Sequence, residues 1–275
     1  MKRPNTCTNL IRAIKSIANG ADEVRLARQM ANVIVGQMLP DGVIKGGSSL
    51  MFRYGSAVTR YTRDIDTARV MEHDEYIKSL QRALSAGWNG FTAELVEVEP
   101  PKPAGVPGEY VMKPYDAKLK YMGRPWQTIR IEIGHNEIGD ADEYEEFLPT
   151  EIAEAFEVLS FSRPGALRVM KLTYQMAQKL HAVSEPGSER AHDLIDLQLI
   201  VRHSKLDLAE VRKTCVRLFN YRRKHKWAPE IVAGESWRKA YEDAYATIAD
   251  ASSLLPSVDD AVAWANDLIA KIDRA

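Results

Sequence analysis

Residues 45–67 read KGGSSLMFRYGSAVTRYTRDIDT. Asp64 and Asp66 stand two apart, so on an extended strand their carboxylates share one face and Ile65 takes the other. Two carboxylates side by side repel unless a cation lies between them. A hard divalent ion such as Mg²⁺ or Mn²⁺ takes oxygen ligands and usually shares them with a substrate phosphate. Upstream, the Gly46-Gly47 turn feeds a short helix expected over residues 48–54. Such a turn can present backbone N–H groups to that phosphate. Either feature alone is weak, since most Gly-Gly pairs are turns and acidic alternation is common on exposed strands. Their order, Gly-Gly-Ser-Ser, short helix, then Asp-Ile-Asp, points to metal-assisted nucleotidyl transfer. Ser48 and Ser49 can contact a phosphate or cap the helix. Neither has a partner base in the pattern, so serine hydrolase chemistry is set aside.

Outward from this stretch, Val24, Ala27, Ala31, Ile34 and Met38 give helical spacing over residues 22–39, ended by Pro40. Strands are expected at 42–45, 64–70, 91–98, 110–121 and 128–133, with a helix at 74–85. In the last strand Ile129, Ile131 and Ile133 share one face, while Arg130 and Glu132 share the other. The segment EPPKPAGVPG, residues 99–108, is a loop by composition. The acidic run Asp140, Asp142, Glu143, Glu145 and Glu146 reads as a solvated loop. After Pro149 the pattern is helical to the end: Val169, Leu172, Met176, Leu180 and Val183 mark one amphipathic helix, and Leu194, Leu197 and Val201 the next. Further helices are expected near 207–221, 236–249 and 258–272, the last opened by Ser257 with Asp260. The fold class is α/β (α+β). It is two-lobed, with a nucleotidyltransferase-like mixed sheet and flanking helices over 1–148 and a helical bundle over 149–275.

Composition is that of an ordinary soluble protein: 275 residues, 45% hydrophobic and 27% charged, with a formal net charge of −1. No stretch approaches a membrane span or a cleavable leader. With only Cys7 and Cys215, a disulfide framework is not implied and a reducing cytoplasm is the simplest compartment. The net charge argues against general polyanion binding, but residues 202–226 carry nine basic residues against two acidic ones. That local excess favours RNA, with Arg212, Lys213, Arg217, Arg222, Arg223, Lys224 and Lys226 as the binding set. Trp237, Tyr241 and Tyr245 recur every four residues. That stripe reads as core before it reads as a base-stacking platform.

Residues 46–66 resemble the AbiEii/MenT family of nucleotidyltransferase toxins, within the polymerase-β-like superfamily. The resemblance rests on Gly46-Gly47-Ser48-Ser49-Leu50, then Arg53-Tyr54-Gly55, then Arg60 through Asp66. A second block supports it: Lys179-Leu180-His181-Ala182, then Arg190-Ala191-His192-Asp193-Leu194-Ile195-Asp196-Leu197. His192 departs from the basic residue often found there, which leaves Arg190 and His192 as alternatives for the basic role. The resemblance implies metal ligation by Asp64 and Asp66, with a third carboxylate on a later strand. Glu132 fits best as that carboxylate, as metal ligand or as base for the attacking hydroxyl. It implies that Gly46, Gly47, Ser48, Ser49, Arg60 and Lys179 bind the NTP, with Lys179 neutralising phosphate charge. Asp193 and Asp196, on one helix face, would hold Lys179, position substrate, or be solvated acids. The acceptor implied is the 3′ end of tRNA, whose modification would block aminoacylation and translation. The protein would be a monomeric bacterial toxin with an antitoxin encoded alongside. The alternatives are a transferase acting on a small molecule or protein side chain, and a non-catalytic nucleotide-binding regulator.

Overall fold

The computed structural model describes residues 1–18, 23–99 and 112–275. Most of the loop expected at 99–108, and the first two residues of the strand expected at 110–121, lie outside them. The chain divides into two compact units. The first comprises Met1–Arg53, Thr62–Asn136 and Tyr144–Val169; the second comprises Tyr54–Tyr61, Glu137–Glu143 and Met170–Ala275. The first unit therefore runs past the expected boundary at 148. Among the described residues, no helix is long and apolar enough to cross a membrane.

The first unit is built on a mixed sheet. Its strands are β1 (Gly42–Lys45), β2 (Ile65–Arg69), β3 (Phe91–Glu97), β4 (Lys113–Tyr121), β5 (Arg124–His135), β6 (Tyr144–Phe147) and β7 (Leu167–Met170), in the order β3-β4-β5-β2-β1-β7-β6. β1 runs antiparallel to β2 and parallel to β7, while β2 runs parallel to β5. The alternation read from β5 holds: Ile129, Ile131 and Ile133 are buried on the face covered by α1 (Cys7–Ala18) and α2 (Glu23–Gly36). Leu10, Ile14, Met30 and Ile34 supply those helices' contribution to the core. The opposite face is left to polar groups, as period two requires. α3 (Gly46–Tyr54) follows β1 without a gap, α4 (His73–Ala86) packs on β3, and α5 (Thr150–Val158) packs on α2.

Three sequence expectations are corrected here. α1 was not anticipated, because the first residues were read only for a leader. β7 lies where an unbroken helix was expected from Val169, since parallel pairing with β1 at Ile44↔Val169 claims that residue for the sheet. The acidic run is not one solvated loop. β6 occupies part of it, and Asp140 is fully buried, accepting hydrogen bonds from the Glu137 N–H at 3.1 Å and from Gln178 at 2.6 Å.

The second unit is helical: α6 (Leu172–Ser184), α7 (Asp193–His203), α8 (Leu208–Arg222), α9 (Trp237–Tyr245) and α10 (Val258–Asp273). Asp207 caps α8 and Ser257 caps α10, each accepting two backbone N–H bonds. Trp237 and Tyr241 of the aromatic stripe are buried in the core, and Tyr245 is half-buried, stacked on Tyr241.

Candidate active site

In the first unit the site begins with strand register. Asp66 of β2 pairs with Lys45 of β1 on one side and with Glu132 of β5 on the other. Laterally paired residues project from the same face of a sheet, so Lys45, Asp66 and Glu132 form one row across three strands. Asp64 sits one residue before β2 and is exposed. Partial desolvation of its carboxyl, then the negative charge of Asp66, raise Asp64 above its ordinary range although the residue stays exposed; Arg130, Arg28 and Arg63 pull the other way. Arg130 is itself tied to Asp116 at 2.7 Å. The sequence reading did not single out Lys45 or Arg130. Strand alternation set Arg130 on the face of Glu132, whereas Lys45 reaches that face through the register of β1 with β2, which no local pattern displays.

Gly46 links the two halves of the motif. Its φ is +65°, and a Cβ there would stand 2.0 Å from the Asp66 Oδ2 atom. Only glycine meets both demands, so the carboxylate lies directly against the start of α3. Gly47, Ser48 and Ser49 are buried behind it. The Ser48 hydroxyl donates to the Asp64 carbonyl oxygen at 2.5 Å, which ties α3 to the residue that opens the acidic pair. Arg53 closes the same helix, bridging to Glu145 at 2.7 Å and lying over the Phe147 ring.

Among the described residues, no three of His, Cys, Asp and Glu converge into a preformed metal cage. Mg²⁺ does not need one. It is usually held by one or two carboxylates and completes its shell with water and substrate phosphates. Hard oxygen donors, mutual repulsion within the Asp64–Asp66 pair, and a third carboxylate one strand across suit such an ion.

In the second unit, Lys179 of α6 is 4% exposed and donates to Asp193 at 2.8 Å and to Asp196 at 2.6 Å. Arg60 grips Asp196 through Nε and Nη2, and Arg190 donates to Asp193 at 2.9 Å. Burial would raise both carboxyls. For Asp193, Lys179 and then Arg190 reverse that; for Asp196, Arg60 and then Lys179 do so, and both carboxyls end well below the usual range. Both acids thus hold Lys179, and neither is solvated. Burial pushes His192 down to about 4, and of the two basic candidates Arg190 is the one that hydrogen-bonds Asp193, at 2.9 Å, while His192 stands 3.8 Å away. The network joins three cations to two carboxylates and keeps one positive charge in surplus.

The basic segment is partly engaged within its own unit. Arg222 pairs with Glu137 at 2.8 Å, Arg212 with Asp273 at 3.5 Å, and Arg217 donates to the Ile138 carbonyl. Lys213, Arg223, Lys224 and Lys226 are exposed.

The family model described as "Nucleotidyl transferase AbiEii toxin, Type IV TA system" matches residues 26–264. MenT4, a nucleotidyltransferase toxin from Mycobacterium tuberculosis H37Rv, is a structural relative at 17% identity and a TM-score of 0.51, covering 95% of this chain and 99% of its own. JHP933 from Helicobacter pylori is similar at 15% identity and a TM-score of 0.48, covering 92% and 93%. No curated protein sequence matches the chain. Spanning 239 of 275 residues from 26 to 264, the match places this chain in the AbiEii nucleotidyltransferase toxin family of type IV toxin–antitoxin systems.

Proposed function

We propose that this chain transfers a nucleoside monophosphate from an NTP to the 3′ end of tRNA, with Mg²⁺ or Mn²⁺ as cofactor, and that it thereby stops aminoacylation. The observation that carries this reading is the contact of the Asp66 carboxylate with Gly46 at the start of α3, with Glu132 one strand across. Asp64, Asp66 and Glu132 would hold the ion, which would supply charge neutralisation to the triphosphate and to the attacking oxygen. The backbone of residues 46–49 would receive phosphate oxygens at the positive end of α3. The acceptor hydroxyl oxygen attacks the α-phosphorus, the bond to the bridging oxygen breaks, and pyrophosphate leaves. Glu132 or Asp64 takes the hydroxyl proton. In the second unit, the surplus positive charge of the Lys179–Arg60–Arg190 network suits a phosphate-bearing ligand. An antitoxin partner follows from the family.

The test is incubation of purified protein with total tRNA, Mg²⁺ and each labelled NTP in turn, read on a denaturing gel. Label in the tRNA band, lost with Asp66→Asn, is the expected result. Label on a small molecule or on protein, with none on tRNA, would move the acceptor to the alternative class.

A further inference from the structure

Lys45 is the last residue of β1 and immediately precedes α3. It is 8% exposed. Among the described residues no hydrogen bond or ion pair engages its ammonium. A buried lysine is ordinarily paired, and an unpaired one ordinarily carries its ammonium out to water. Lys45 does neither. Its stem crosses the polar face of the sheet, and Nζ comes within 3.2 Å of where a Cβ on Gly134 would stand. Gly134 pairs in register with Ala68 of β2, which is fully buried. Two small residues therefore leave the channel in which the lysine lies.

Lys45 thus starts in register with Asp66 and Glu132, immediately before α3, and its ammonium lies beside Gly134, on the same face of the sheet and two residues along β5 from Glu132. We propose that Lys45 is a phosphate ligand of the first unit, binding a non-bridging oxygen of the NTP that the carboxylate face receives with its metal. The proposal rests on the nucleotidyl-transfer reading and adds to it a residue that the motif did not assign. The two chemistries are complementary. Carboxylates draw in the divalent ion, while the ammonium and the positive end of α3 draw in the anion. Bound phosphate would complete the donors that the fold leaves open on Lys45, so substrate rather than protein supplies the counter-charge.

The experiment is calorimetric titration of the full chain with Mn²⁺ alone and with inorganic tripolyphosphate in the presence of Mg²⁺. Lys45→Met is expected to weaken tripolyphosphate binding about 10- to 100-fold, the range for one lost charge-assisted hydrogen bond. Its affinity for Mn²⁺ alone should be equal or higher, because a like charge has been removed beside the carboxylates. Gly134→Ala keeps every charge while its methyl stands 3.2 Å from Nζ and 3.1 Å from the Thr67 carbonyl oxygen, and should weaken tripolyphosphate binding a few-fold with Mn²⁺ unchanged. If Lys45→Met fails to fold, Lys45→Gln, which removes the charge and keeps a polar head, takes its place beside Gly134→Ala. Tripolyphosphate binding as tight as wild type in the folded variants overturns the proposal, as does a parallel loss of Mn²⁺ and tripolyphosphate. Failure of the wild-type protein to bind either probe would instead overturn the nucleotidyl-transfer reading itself.

Discussion

Asp66 carries two demands that conflict in the absence of a cation. Its charge raises the neighbouring Asp64 carboxyl, and its Oδ2 fills the space beside Gly46 that any other residue would need. Asp66→Asn keeps the shape and removes the charge. It should abolish nucleotide transfer while the melting temperature holds or rises, because the Asp64–Asp66 repulsion is relieved; full transfer by a folded variant would sink the assignment. Gly46→Ala attacks the same place from the other side. A methyl group 2.0 Å from a carboxylate oxygen, on a residue at φ +65°, cannot be accommodated by the methyl alone. The expected result is a loss of about 1–3 kcal/mol in urea unfolding, together with loss of transfer. This stretch was legible in the sequence because its logic is local: Gly46 and Asp66 lie within one β1–α3–β2 passage. Lys45 was overlooked because its importance comes from register with β2 and β5, which no local pattern displays.

At the scale of elements, α6 and α7 hold the Lys179 network, and two lysines of the same region separate structural pairs from surface ones. Lys171 meets Glu143 in an exposed pair, whose loss changes stability by no more than about 1 kcal/mol. Lys179→Ala would leave Asp193 and Asp196 buried with a cation missing, a change that costs about 3–5 kcal/mol when a buried pair is broken. Lys179→Ala should therefore lower the melting temperature and, assayed where it is folded, reduce transfer at least ~10²-fold; Lys171→Ala should do neither. Equal effects would misplace the network. α6 also carries His181, 1% exposed and packed edge-on against Phe219 of α8. Burial first, then Arg222 and His225, push it down to about 3. A folded pKa below the unfolded one means that the unfolded chain binds the proton first. Stability is then complete above about pH 6.5 and falls as pH drops toward 3. His181→Phe should remove up to about 2 kcal/mol of the decline between pH 7 and pH 5, read as a difference in urea midpoints; an unchanged decline would mean that His181 does not titrate in that window. Most helices here were legible from their 3.6-residue spacing. The partners that give Lys179 its setting were less so: Arg60 reaches Asp196 across 136 positions of sequence, and β7 lies in the sheet between β1 and β6, both distant in sequence.

For the whole molecule, the net charge of −1 hides a segment rich in cations, and the structure sorts those cations by what they already do. Arg222 is committed to Glu137 and Arg212 to Asp273, so reversing Arg222 would set two carboxylates together and report on folding instead of RNA. Lys213, Arg223, Lys224 and Lys226 are exposed and form the sharper test. If they contact phosphates of tRNA, reversing all four to Glu should weaken tRNA binding at low salt. It should also flatten the salt dependence, each lost contact on a duplex removing about 0.9 from the log–log slope. Binding of Mg²⁺ and tripolyphosphate should be unchanged, since that site is assigned to Lys45, residues 46–49 and the carboxylates of the sheet. The two readouts separate acceptor recognition from nucleotide recognition. A transferase for a small acceptor would tolerate the reversal in both. A misfolded variant would lose both, and its melting curve would show it. If the quadruple variant modifies tRNA as fast as wild type at subsaturating tRNA, these four residues form a solvated face, and the acceptor is held by another surface of the molecule.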